Sequence, residues 1–386
     1  MMKRREFLTT IGAATVTALL PPAAFAAAGA TYGNLLILVE LKGGNDGLNT
    51  VIPYAASEYA TLRPRLGIAR DQVLQLDAKT GLHPSLQALM PFWQARELAV
   101  VQGLGYPNAN LSHFRSIEIW DTAANSNEYL PEGWLARAFA RAPAPKSYAA
   151  DGVIVGGADL GPLSGAGTRA IALTNTEQFL RQARLAASST QPRSGALQHI
   201  LRVESDIVQA AGNLTGEYAF ATEFPKTAFG NAVRTAAQVV ATKAGVAVIK
   251  VALNGFDTHS GQAATQARLL KDLAEGLAAL KAALVEAGRW DTTLIATYAE
   301  FGRRPRENQS GGTDHGTANV HFVLGGKVAG GLYGEAPVLA RLDGNGNLPH
   351  AVDFREVYAT ILQRWWGVDP QAALRGRYAP LRLIRV

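Results

Sequence analysis

The stretch LILVELKGGNDGLNT, residues 36–50, decides the fold. Its apolar run, interrupted by Glu40, reads as a buried strand. It stops at Gly43-Gly44-Asn45-Asp46-Gly47, where glycine and asparagine tolerate positive φ. A carboxylate left there needs a reason. Open parallel sheets gather ligands at the carboxyl ends of their strands, and Asp46 would sit at such an end.

Further apolar runs at 35–41, 98–104, 246–253, 293–298 and 320–324 read as strands. Helical periodicity marks 84–95, 229–245, 261–288 and 353–367, the last three ending in glycine. Strands alternating with long helices predict an α/β fold: a mostly parallel central sheet with helices on both faces. Residues 31–386 read as one domain. Its irregular part, 139–223, contains APAPK, VGGADLGPLSGAG and ASSTQPRSG, and is expected to be an insertion or cap.

Composition sets limits. The 386 residues are 48% hydrophobic and 18% charged, as in ordinary globular chains. The formal charge is +6, and removing Lys3, Arg4, Arg5 and Glu6 leaves about +4. There is no long Lys/Arg run, so no nucleic-acid partner is expected; a basic surface still suits anionic substrates. There are no cysteines, so a metal would be held by His, Asp, Glu and other oxygen donors.

Residues 1–30 read as an export signal. Arg4-Arg5 precede a short, mildly apolar stretch and an Ala24-x-Ala26 cleavage site. The arginine pair resembles a twin-arginine signal; a plain secretory signal is the alternative. The mature chain is expected to be periplasmic or secreted. No later stretch is apolar enough for a transmembrane segment.

The strand ends share one chemistry. After the first come Asn45 and Asp46, after the second Ser112 and His113, after the third Asp257 and His259, after the fourth Glu300 and Arg303. Asp314 and His315 precede the fifth. Each has a plainer reading: a glycine turn at 43–47, a helix cap at Ser112 or Asp257, an ion pair between Glu300 and Arg303 or Arg304. Together they suit a divalent cation, because converging carboxylates repel one another unless a cation bridges them. Three of the seven histidines fall in these groups, which favours a metal-type site.

LKGGNDGLN, SHFRSIEIWDTA, GFDTHSGQ, AEFGRRPREN and GTDHGTANVHFVLGG, with the leader, together resemble an exported bacterial family, domain of unknown function 1501. That family is grouped with the alkaline phosphatase and sulfatase superfamily. The resemblance implies an alkaline phosphatase-like fold and one or two divalent ions, of zinc, calcium, manganese or magnesium. It implies Asp46, Asp257, His259, Glu300 and His315 as ligands and Ser112 as nucleophile. No histidine adjoins Glu300, so Asp314 fills that gap or the site holds one ion. Arg303 or Arg115 would grip substrate oxygens, and His113 would serve the leaving group.

The expected activity is hydrolysis of a phosphate or sulfate ester, with a small anionic ester or a polysaccharide as partner. The alternative is a non-catalytic exported binding protein that keeps the fold and a partial metal site. A serine hydrolase of the α/β type is disfavoured, since THSGQ and PLSGAG both fail the G-x-S-x-G elbow. GLGYPN is not a phosphate loop.

Overall fold

The structure, a computed structural model, describes residues 30–173, 218–242 and 244–385. The export signal and residues 174–217 of the expected cap lie outside the described residues. Strands in chain order are β1 (Leu35–Lys42), β2 (Val51–Ile52), β3 (Leu74–Gln75), β4 (Gly81–Leu82), β5 (Leu98–Gly105) and β6 (Ala150–Val155). They continue as β7 (Ala170–Leu173), β8 (Val246–Asn254), β9 (Thr293–Tyr298), β10 (Asn319–Leu324), β11 (Gly331–Gly334) and β12 (Val352–Asp353).

The main sheet runs β11-β5-β10-β9-β1-β8-β6-β7, with β12 also paired to β5. β1 is central and parallel to both β8 and β9. β10 alone runs antiparallel to its neighbours β5 and β9. This direction decides where the site forms. The residues that precede β10 lie at the same edge as those that follow β1, β5, β8 and β9. His315 therefore reaches the carboxyl edge although it comes before its strand.

Of the irregular segment the structure describes 139–173 and 218–223, and the first of these supplies β6 and β7, both in register with the parallel sheet. Its glycines and prolines hide two short apolar runs.

Alternation along β1 feeds two layers. Leu35, Ile37, Val39 and Leu41 pack with the helices Ala228–Ala241 and Gln262–Glu286 on one face. Leu36 and Leu38 pack on the other with helices His113–Thr122, Trp134–Arg141 and Phe354–Thr360. Glu40 points to this second face and meets Nζ of Lys250, a residue of β8 that lies opposite Leu38, at 3.2 Å in a buried pair. Among the described residues, no helix is long and apolar enough to cross a membrane.

What ends β1 is a buried ion pair. Asp46 caps the short helix Gly47–Thr50 by accepting from the Leu48 N–H. Both its oxygens also meet the Arg63 guanidinium: Nη1 bonds Oδ2, and Nη2 bonds Oδ1 at 3.0 Å. Gln262 Nε2 donates to Oδ2 at 2.5 Å. Arg63 is itself buried and continues to the carbonyls of Pro305 and Arg304.

Arg63→Met leaves Asp46 buried and unpaired, and is expected to cost about 3–5 kcal/mol in urea unfolding. Adding Asp46→Asn should restore part of that loss. A second expectation concerns pH. Burial pushes His321 down to about 3, and burial outweighs the Asp46 charge to bring His83 down to about 4. Both are neutral when folded, so the unfolded chain takes up protons first, near its ordinary value of 6.5. Stability from these groups is full above that value and is lost as pH falls toward their folded values. His321→Gln should flatten the decline between pH 7 and pH 5 by about 2 kcal/mol, read from urea midpoints at each pH.

Candidate metal centre

The two glycines after β1 are there because two neighbours crowd the loop. A Cβ on Gly43, at φ +113, would come 2.4 Å from the Asp257 nitrogen, and one on Gly44 would strike the Phe301 ring at 2.4 Å. With both absent, the turn after β8 closes against the turn after β1. Phe301, fully buried, tilts against the rings of His113 and His315, with centroids at 4.9 and 4.4 Å. It fixes where those imidazoles lie.

Arg303 binds the loops to one another. It is buried, and its Nε donates to the Gly44 carbonyl at 2.8 Å and its Nη1 to Thr313 at 2.8 Å. Its Nη2 reaches the carbonyls of Gly43 (2.5 Å) and Phe256 (3.1 Å) and Asp257 Oδ1 (2.6 Å). Asp257 is half-exposed, with its other oxygen toward the edge. Partial burial raises its carboxyl, but the bond and charge of Arg303, with His113, outweigh that and hold it below the ordinary carboxylate range.

Three imidazoles surround this carboxylate. His113 Nε2 is 3.4 Å from Oδ2; His259 Nε2 and His315 Nε2 are 3.2 and 3.4 Å from Oδ1. Ligand atoms of His113, Asp257 and His315 lie within 4.8 Å of one another. The opposite nitrogens are already committed. His315 Nδ1 meets the Leu111 carbonyl at 2.8 Å, and His113 Nδ1 meets Glu300 Oε1 at 2.8 Å. Those oxygens accept, so each Nδ1 donates and each Nε2 is turned inward. Burial, aided by the Arg303 charge, lowers His315 against the Leu111 bond, which favours the neutral form.

The sequence-predicted residues divide. Asp257, His259 and His315 come together, and His113 lies among them. Glu300 sits behind His113: Oε1 also accepts from the Gly43 N–H at 2.9 Å, while Oε2 is buried without a partner. It pairs with neither Arg303 nor Arg304. Asp314 stands behind His259, with Oδ1 3.5 Å from Nδ1, and is kept below its ordinary range first by Asn308. Asp46 stays out of the cluster, spent on Arg63 and Gln262. Arg303 and Arg115 are likewise committed inward, Arg115 to the carbonyls of Ser126 and Glu128 and over the Tyr129 ring. Ser112 is exposed at the start of helix His113–Thr122 and its side chain makes no cap bond. Gly261, not Asp257, caps the helix Gln262–Glu286.

Sequence reading missed Arg63 and Gln262. Gln262 left a trace: it and Gln266, four apart on a helix, are polar positions on its buried side. Arg63 left none.

The cluster fits a divalent cation. His259 and His315 bring their Nε2 atoms to 3.0 Å. Both nitrogens lie beside the Asp257 carboxylate, and histidine with carboxylate is a donor set for zinc or a similar ion.

Among curated proteins no match is found. Solved structures show a distant likeness. A protein in the alkaline phosphatase superfamily from Vibrio parahaemolyticus is 11% identical, covering 89% of this chain and 69% of its own, with a TM-score of 0.42. Alkaline phosphatase from the Antarctic bacterium TAB5 is 11% identical, covering 78% and 94%, at 0.35. Ps i-CgsB, solved with k-i-k-neocarrahexaose, is 12% identical, covering 88% and 72%, at 0.37. No residue role is carried over from likeness at this level. The sequence matches the family model for the protein of unknown function DUF1501 over residues 34–377, and the chain belongs to that family.

Proposed function

We propose that this chain is an exported hydrolase of phosphate or sulfate esters that depends on a divalent metal held by His113, Asp257, His259 and His315. The observation that carries it is the convergence of imidazole Nε2 atoms on Asp257, with Nδ1 of His113 and His315 held from behind. When bound, the ion supplies a Lewis acid that lowers the pKa of a nearby hydroxyl and neutralises an ester oxygen.

The protein's own residues do the rest. Arg303 keeps Asp257 ionised and aimed at the edge. Glu300, Leu111 and Asp314 fix ring orientation. Ser112, next to His113 in sequence and exposed, is the nucleophile: its oxygen bonds to phosphorus or sulfur, its proton passes to solvent, and the ester's alkoxy group leaves. The first turn of helix His113–Thr122 supports negative charge at that hydroxyl. Water then cleaves the covalent ester and restores Ser112.

One observation favours the second reading, a binding protein without catalysis. Arg303 and Arg115 both spend their charge internally, so neither offers a grip on a transferring group.

Two measurements decide between them. Metal analysis of purified protein should find a stoichiometric divalent ion, lost in His315→Ala and in Asp257→Asn. Aryl phosphate, phosphodiester and aryl sulfate assays should show turnover that Ser112→Ala lowers by about 100-fold or more while the metal stays bound. Metal-loaded protein that turns over none of these esters would overturn the hydrolase and leave the binding reading.

Calcium, zinc, manganese and magnesium should also differ. Chelation should abolish turnover, and zinc or manganese should restore it better than calcium, because imidazole donors suit the borderline ions.

A further inference from the structure

A cavity of about 280 Å³ opens between the helix Gly47–Thr50, the end of β5 and the segment 335–351. None of His113, Asp257, His259 and His315 lines it. Its walls are apolar and include Leu48, Val51, Val320, Val338 and Leu348. Val51 and Val320 belong to the main apolar cluster, Leu48 and Leu348 to a smaller one, so the cavity sits where the two adjoin. A dry cavity of ~150 Å³ takes benzene, so this one takes a body of about ten heavy atoms.

One polar side chain faces this space from deep in the protein. Alternation along β5 puts Gln102 on the face of Leu98 and Val100, both core residues. Gln102 is only 5% exposed. Among the described residues nothing bonds its side-chain amide. Unlike the indole nitrogens of Trp120 and Trp134, which are unpartnered and sealed from water, the amide reaches the cavity. The backbone is shaped for this. Leu104 pairs with Asn319 and Val101 with His321, so Gln102 and Gly103 together oppose Val320 in a bulge. Bulges re-aim side chains, and here φ +66 at Gly103 accommodates the extra residue.

The lining narrows the ligand. Its one buried charge, Arg303, is already spent on carbonyls and Asp257, while Glu335 and Arg341 are exposed at the rim. A charged group taken inside would leave water without a free partner. A glutamine amide offers an acceptor and a donor side by side. A primary carboxamide or a lactam returns both in reverse order, which gives two hydrogen bonds. A hydroxyl engages through one atom, and a hydrocarbon through none. We propose that this cavity binds a small uncharged molecule with an apolar body and a carboxamide or lactam head, the head paired with Gln102. The site is separate from the metal cluster, and its occupancy does not depend on ester hydrolysis.

The probes are benzamide and ε-caprolactam, with benzoate and toluene as controls, titrated into the full chain and followed by methyl NMR. Benzamide or caprolactam should bind the wild type at about 1 mM or below, with shifts centred on Val51, Val320 and Leu348. Benzoate and toluene should bind about tenfold more weakly or worse. Gln102→Met keeps the side chain's length and loses no hydrogen bond to the protein. It should leave bound metal and ester turnover at the wild-type level, weaken benzamide about tenfold and leave toluene as before. Inorganic phosphate should not compete. The proposal is overturned if neither amide binds, or if benzoate or toluene binds the wild type as tightly. It is equally overturned if Gln102→Met binds benzamide as the wild type does, or if phosphate displaces benzamide.

Discussion

The buried guanidinium of Arg303 is the contact on which the edge of this sheet depends. It bonds carbonyls from the turn after β1, the turn after β8 and the loop before β10, and then Asp257. Backbone carbonyls at strand ends have no ladder partner and would be costly to bury alone. One planar cation with five donors satisfies four of them at once, which an ammonium on a flexible stem cannot do. Because the same group aligns Asp257, the order of the loops and the charge at the cluster have one cause.

Around that cation the protein separates two kinds of carboxylate. Asp46 lies deep, neutralised by Arg63 and locked by Gln262, and it terminates the central strand. Asp257 lies shallow, bonded on one side and open on the other. A buried pair contributes geometry more than stability, and here the geometry is the turn that lets Gly43 and Gly44 touch Asp257 and Phe301. Glu300 and Asp314 occupy a middle layer, where each meets the back of an imidazole.

How much of this was legible follows from the physics of each element. β1, β5, β8, β9 and β10 were readable because strands buried on both faces are continuous apolar runs. β6 and β7 were hidden: ADGVIV and AIAL are short and set among glycines and prolines, and only pairing with β8 makes them strands. The direction of β10 was invisible as well, since periodicity carries no sign. At the site, residue types at strand ends located Asp257, His259 and His315. The division of labour was out of reach, because it depends on partners without a sequence mark: the Leu111 carbonyl, the Arg63 side chain, the Gly43 N–H. Asp46 looked like a ligand for the reason that it is a strand-end carboxylate, and its guanidinium partner arrives from an unremarkable loop.

The placement of β1 also governs when this molecule can become itself. It is the first described strand to leave the ribosome, yet its two neighbours begin at Val246 and Thr293. Its opening residues stay uncovered until the indole N–H groups of Trp365 and Trp366 reach the carbonyls of Leu35 and Asn34. A nascent chain therefore carries an apolar, unpaired central strand until Val246–Asn254 has been made. Such long-range pairing is slow and exposes strand edges to aggregation. Maturation is thus a late event, and a truncation that removes the chain from Trp365 onward would strip the cover from the strand that was made first.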